Sequence, residues 1–88
     1  MSKRYLEPVE VEQEDGRPRA FRWREATYAV LAVLGHWRED ARPDVRGDGL
    51  AVPQRDLWRV EARRGGPARG VYELVHEAGA WRLGRIWD

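Results

Sequence analysis

The sequence predicts an all-β protein, a single small antiparallel meander of about six strands curled into a barrel-like or SH3-like sheet. Short segments alternate apolar and polar residues with a period of two, which is typical of half-buried strands. Dipeptides that favour hairpin turns, such as Asp15-Gly16 and Ala78-Gly79, separate these segments. A chain of 88 residues allows one domain, residues 1–88, with a modest core.

The first predicted hairpin lies near the N-terminus. Residues 9–14 read V-E-V-E-Q-E, and the turn at Asp15-Gly16 follows directly. Residues 20–25 form the next strand, with Phe21 and Trp23 on one face and arginines on the other. We therefore expect the aromatic face of this strand to lie against the core and the arginine face to lie in solvent.

The stretch T-Y-A-V-L-A-V-L-G-H-W, residues 27–37, follows a short predicted turn at residues 25–27 and has no polar face. We interpret it as a central strand that is covered on both faces or curves through a small barrel. A helix over residues 25–34 is the rival interpretation, because alanine and leucine are good helix formers. Gly35 is expected to mark a bulge or bend.

A long loop is predicted at residues 40–53, where two prolines, two glycines and three aspartates cluster. Three alternating segments follow it, at residues 55–63, 70–77 and 80–88. The apolar positions of all these strands supply the predicted core, which consists of Phe21, Trp23, Val30, Leu34, Trp58, Val60, Leu74, Trp81 and Leu83.

Composition restricts the setting in which the protein works. The chain has no cysteine, which excludes disulfides and thiolate metal sites and favours a reducing cytoplasm. No segment approaches the roughly 20 apolar residues of a membrane helix, and the N-terminus turns acidic where a secretory signal would turn apolar. We therefore expect a soluble protein of the cytoplasm, without a membrane role.

Arginine dominates the basic residues, with 15 arginines and one lysine. The guanidinium group stacks on rings and pairs with phosphate, although a GC-rich or thermophilic source also favours arginine. Outward arginines on one sheet face, with one or two exposed rings among them, would track phosphates and stack bases. The predicted nucleic-acid-binding residues are Arg22, Arg24, Trp37, Arg59, Arg82, Arg85 and Trp87.

A simpler interpretation of these residues needs no ligand. Four tryptophans precede an arginine, and neighbouring residues of a strand face opposite sides, so each pair could place a ring in the core and a charge in solvent. Glutamates could also neutralise the arginines across strands. The glutamates concerned are Glu25, Glu61, Glu73 and Glu77.

No catalytic constellation is visible in the sequence. His36 and His76 have Glu39, Asp40 and Glu77 near them in the chain, but a metal or acid–base site would need these groups brought together. Ser2 and Thr27 are the only small hydroxyl residues, so nucleophiles are scarce. We expect a protein that is not an enzyme and has no catalytic residue, metal or cofactor.

The segments F-R-W-R-E, W-R-V-E-A, Y-E-L and W-R-L-G-R-I-W-D, spread over residues 5–39 and 56–88, resemble an uncharacterised family of small bacterial domains. No biochemical activity accompanies that family, so no site residue is carried over from it. Members are sometimes associated with proteins that resemble translesion DNA polymerases. The resemblance thus implies a DNA-repair setting and a repair-polymerase-like protein as a partner.

Two functions follow as expectations. The first is a non-enzymatic nucleic-acid-binding or repair-accessory module that binds single-stranded or double-stranded DNA through its arginine and tryptophan face. The alternative is a protein-interaction module that pairs through a sheet edge with a partner or with its own copy, as a monomer or weak homodimer. The N-terminal strand is the predicted edge, although its glutamates discourage indiscriminate pairing.

Overall fold

The computed structural model describes residues 2–40 and 54–87, so the predicted loop at residues 40–53 lies outside the described residues except for Asp40. The described residues form strands and turns, and they include no helix that could cross a membrane. Seven strands follow one another along the described part of the chain. They are β1 (Ser2–Pro8), β2 (Glu10–Glu14), β3 (Arg17–Trp23), β4 (Ala26–Asp40), β5 (Gln54–Arg63), β6 (Gly70–Glu77) and β7 (Ala80–Trp87).

All seven strands belong to one antiparallel sheet with the order β1-β7-β6-β5-β4-β3-β2. The all-β prediction and the meander from β2 to β7 are confirmed. The structure adds β1, because residues 2–8 pair with β7. The sequence does not predict this strand, because charged residues at both parities break the alternation of apolar and polar positions.

Residues 26–34 are extended rather than helical, because they lie within the 15-residue strand β4, and Glu25 belongs to the turn before that strand. The predicted irregularity at Gly35 is confirmed, since the register with β5 shifts between Val33 and Gly35. The two predicted dipeptide turns, Asp15-Gly16 and Ala78-Gly79, have both residues at positive φ, the conformation of the tight hairpin turn that matches strand twist.

One N-terminal segment supplies both edges of the sheet, because only Val9 separates β1 from β2. The sheet is therefore curled, and Val9 donates its backbone N–H to Trp81 O at 3.1 Å. Glu7 fastens the segment to the β3–β4 turn. Its carboxylate accepts hydrogen bonds from Trp23 Nε1 at 3.0 Å and from Arg24 Nη2 at 2.6 Å, and these donors hold the pKa of Glu7 below its usual value.

The core lies inside the curl and is largely aromatic. Of the predicted core, Val30 and Trp81 are partly buried against it, and six residues are buried: Phe21, Trp23, Trp58, Val60, Leu74 and Leu83. Tyr28 joins them, stacked on Phe21 with ring centroids 4.8 Å apart.

The prediction for Leu34 was wrong, because this residue is 53% exposed. Register shifts on both sides of it, between Val30 and Ala32 and between Val33 and Gly35, move the inward position from Leu34 to Val33. Each shift inserts one unpaired residue and so reverses the face of the residues that follow.

Replacing Leu74 with alanine is expected to lower the free energy of unfolding by about 2–5 kcal/mol, because this side chain is fully buried. Leu34→Ala, the same change at the exposed bulge, should cost less than about 0.5 kcal/mol. Urea unfolding followed by tryptophan fluorescence measures both values. Equal losses in the two variants would contradict the placement of Leu34 outside the core.

Candidate functional site

The candidate site lies on the outer face of the sheet, which we define as the face turned away from the core. Strand β5 alternates buried Trp58 and Val60, which face inward, with Leu57 and Arg59, which face outward. The register places Trp37 and Val75 on either side of Leu57, so the outer face continues across β4 and β6.

A bulge at Gly84 decides what β7 contributes to this face. Leu83 pairs with Leu74 and Arg85 with Glu73, which leaves Gly84 as the extra residue. Strict alternation would put Arg85 on the same side as buried Leu83, but the bulge turns it outward. Arg82, Arg85 and Trp87 thereby share the outer face.

Arg59 is held between two tryptophan rings. Its guanidinium carbon lies 4.4 Å from the Trp87 ring centroid and 5.3 Å from the Trp37 ring centroid, both within the range of cation–π attraction. Arg85 also lies over Trp87, at 5.6 Å. We name these four residues, Trp37, Arg59, Arg85 and Trp87, the arginine–tryptophan cluster.

Ring contacts, rather than carboxylates, stabilise this cluster. Within the described part of the chain, no carboxylate lies within 4.0 Å of the guanidinium nitrogens of Arg59, Arg82 or Arg85, although Glu73 is opposite Arg59 and Arg85 in the register. Arg59 Nε is buried and has no hydrogen-bond partner. The positive charges of the three arginines are therefore not compensated by direct ion pairs among the described residues.

Beside the cluster, the outer face contains a groove of about 400 Å³. Leu57 and Val75 lie along it, Trp37 and Arg85 flank it, and its charged lining also includes Glu39, Arg55 and Glu73. Two glycines shape this surface. A Cβ at Gly84 would lie 2.9 Å from Val75 Cγ2, and a Cβ at Gly35 would lie 3.0 Å from the Trp37 ring, so each glycine allows its neighbour to lie close to the backbone.

Two predicted site residues lie elsewhere. Arg22 faces Glu10 and Thr27 in the register, and Thr27 precedes Gly35 by eight residues, roughly 25 Å along β4. Arg24 occupies the β3–β4 turn and is paired with Glu7 at 2.6 Å. Of the seven predicted residues, four form the arginine–tryptophan cluster, and a fifth, Arg82, lies on the same outer face opposite Val75 in the register.

The glutamates that could neutralise the predicted arginines form no ion pair with them within 4.0 Å in the described part of the chain, although Glu73 lies opposite Arg59 and Arg85 in the register. Glu61 lies 3.7 Å from Arg69, and ion pairs from Glu25, Glu73 or Glu77 to the predicted arginines are absent there.

Three of the four Trp-Arg pairs do place the ring toward the core. Trp37 is the exception, because its ring faces outward and Arg38 instead pairs with Asp56.

The histidines occupy the inner face at one end of the sheet. His36 stacks on Trp58 with centroids 3.7 Å apart, and its Nε2 lies 3.3 Å from Asp56 Oδ1. His76 stacks on Trp81 at 4.2 Å. No cluster of three metal-ligating side chains occurs among the residues that the structure describes. The carboxylate that contacts His36 is that of Asp56. Glu39, which is closer to His36 in the sequence, instead accepts a hydrogen bond from Arg55 Nε at 2.8 Å.

Asp56 was missed by sequence reasoning, although a signal was available. It shares the strand parity of buried Trp58 and Val60, which places a charge on the inner face. Arg38 donates its Nε–H to Asp56 Oδ1 at 3.0 Å, and this hydrogen bond, supported by His36, holds the pKa of Asp56 below its usual value. The folded state therefore favours the ionised carboxylate.

Asp56→Asn is expected to lower stability at neutral pH, because it removes the charge that Arg38 and His36 contact. A lowered pKa stabilises the folded state above the ordinary aspartate pKa, about 3.9, and the contribution disappears as the pH falls through the folded-state value. The stability difference from wild type should therefore shrink in acid, as measured by urea unfolding between neutral and acidic pH. Asp15→Asn, in an exposed turn without an ion pair among the described residues, is the control, and an equal effect there would contradict this role.

Comparison with known proteins agrees with the resemblance seen in the sequence. No curated protein and no solved structure matches the chain. One family model matches residues 1–88, the whole length of the sequence. The chain belongs to the family described as a domain of unknown function, DUF6504.

Proposed function

We propose that this protein is a non-enzymatic nucleic-acid-binding module and that the arginine–tryptophan cluster, together with Arg82 on the same outer face, is its binding surface. The observation that carries the proposal is the state of Arg59, Arg82 and Arg85. These side chains share one face, and no described carboxylate lies within 4.0 Å of their nitrogens. Phosphate groups are the natural anions for such unpaired guanidinium groups.

The tryptophans favour a single strand as the ligand. The Trp37 side chain is 37% exposed and belongs to the same cluster as Arg59. Base faces are available for stacking where a strand is unpaired, and small sheet proteins that hold single strands combine aromatic platforms with basic grooves. We therefore assign phosphate contacts to the arginines and base stacking to Trp37 and Trp87.

The resemblance to domains associated with translesion-polymerase-like proteins supports a DNA-repair setting for this proposal. DNA is then the expected nucleic acid, and a repair-polymerase-like protein is the expected partner. This part of the proposal rests on the resemblance alone, whereas the binding surface rests on the geometry of the cluster.

Binding of a labelled single-stranded oligonucleotide, followed by fluorescence anisotropy, is expected to weaken steeply with salt. If the three arginines each neutralise one phosphate, the logarithm of the binding constant should fall against the logarithm of salt concentration with a slope of roughly −2, about −0.7 for each phosphate. Arg85→Gln should reduce the slope to about −1.4, and Trp37→Ala should weaken binding by about 1–3 kcal/mol.

Arg17→Gln is the matched control, because it removes one exposed positive charge from the first residue of β3, away from the cluster. The affinity and the salt slope of this variant should remain close to those of wild type, because the loss of one distant charge changes only the net charge. Salt-independent binding, or an equal loss in the Arg17 and Arg85 variants, would refute the assignment. A duplex of the same sequence tests the preference for single strands, and tighter duplex binding would argue against base stacking.

A further inference from the structure

Among the described residues, strand β4 has an open edge along much of its length. Strand β3 pairs with β4 only from Ala26 to Ala29, after which β3 bends toward β2 at a register shift near Arg19. From Val30 to Asp40, β4 pairs with β5 on one side, and no described strand pairs with it on the other. Unpaired N–H and C=O groups along a strand edge can accept another strand.

A cleft of about 700 Å³ lies at this edge, between the β2–β3 turn and residues 30–33 of β4. Charged side chains of the turn line one wall: Glu14, Asp15, Arg17 and Arg19. Their formal charges cancel, so the cleft presents no net charge that would repel an incoming strand. The bend in β3 that uncovers the edge of β4 also opens this space.

The open edge lacks the charged residues that usually protect sheet edges. From Val30 to Trp37, His36 is the only ionisable side chain, whereas the edge strand β2 carries three glutamates. Three large apolar side chains are exposed in this stretch: Leu31 at 38%, Leu34 at 53% and Trp37 at 37%. An apolar strand edge of this kind is a pairing site unless something covers it.

We propose that a second copy of this chain covers the edge, with the two β4 strands antiparallel and related by a twofold axis at Leu34. Leu31 and Trp37 each lie three residues from Leu34, so the pattern of exposed residues is symmetric about that position. The axis brings Leu34 beside Leu34 of the other copy, and each Leu31 beside the other Trp37. A twofold interface requires such a self-complementary surface.

The same register is compatible with the charges at the ends of the pairing. Arg38 of one copy falls opposite Val30 of the other, next to the turn whose four charges cancel. The two bulges of β4 interrupt its regular backbone, so the contact relies on apolar packing at the axis and on few backbone hydrogen bonds. We therefore expect a dimer that dissociates on dilution.

Sedimentation velocity from low to high micromolar concentration tests the interface. The wild-type mass is expected to rise from monomer to dimer, and Leu34→Lys is expected to remain a monomer throughout, because it places two like charges at the axis. Leu6→Lys is the matched control, since Leu6 is 71% exposed and lies on β1. It should dimerise like wild type, and the circular dichroism of both variants should match the wild-type spectrum.

Single-cysteine variants test the axis itself, because the natural chain contains no cysteine. Residues directly opposite in an antiparallel pair have Cα atoms about 4.5–5.5 Å apart, a distance that a disulfide can span. Leu34→Cys is therefore expected to form a covalent dimer under mild oxidation, and Leu6→Cys is expected to remain largely monomeric.

Three results would each overturn the proposal. They are a wild-type chain that stays monomeric at high concentration, a Leu34→Lys variant that still dimerises, and cysteine cross-linking that is no faster at position 34 than at position 6. Trp37 belongs to both proposals, so nucleic-acid binding is measured at a concentration at which the chain is monomeric. A failed dimer test then leaves the proposed binding surface to be judged by the oligonucleotide titration.

Discussion

The core of this protein is enclosed by a single sheet, and that sheet can surround a core only if its strands bend. Five register shifts provide the bends, in the β1–β7, β2–β3 and β6–β7 pairs and twice in the β4–β5 pair. Each inserts one residue, which kinks the strand and increases its local twist. The packing of Phe21, Tyr28 and Tyr72 inside the curl depends on this bending, since their ring contacts join residues from β3, β4 and β6.

The same bulges decide which side chains meet outside the core. The extra residue at Gly84 turns Arg85 and Trp87 onto the outer face, where Trp87 contacts Arg59 of β5. The shift in β3 leaves the edge of β4 open, and the paired shifts in β4 expose Leu34. The proposed binding surface and the proposed dimer contact are thus both consequences of how a small sheet closes on itself.

Electrostatic interactions are divided between two roles. The pair of Arg24 with Glu7 fastens the N-terminal segment to the β3–β4 turn. Two further pairs, Arg38 with Asp56 and Arg55 with Glu39, link β4 to β5. Arg59 and Arg85 are positioned by tryptophan rings instead, and ring contacts leave the positive charge available to an anion. Exposed ion pairs contribute little to the free energy of unfolding. The difference between the two groups of arginines therefore matters mainly because it leaves the charges of Arg59 and Arg85 without a direct ion pair among the described residues.

The sequence by itself determined the fold class, the turns at residues 15–16 and 78–79, most of the core and the family, because these depend on local alternation, turn residues and short motifs. The turn between β3 and β4, predicted at residues 25–27, instead consists of Arg24 and Glu25. It also named the residues of the cluster, though together with Arg22 and Arg24, which lie elsewhere. Only the tertiary structure decided which arginines share a face, that Leu34 is exposed, and that no described strand covers the edge of β4 beyond Ala29. A bulge shifts the face of every residue beyond it by one position, and nothing in a period of two indicates where strand pairing will require that extra residue.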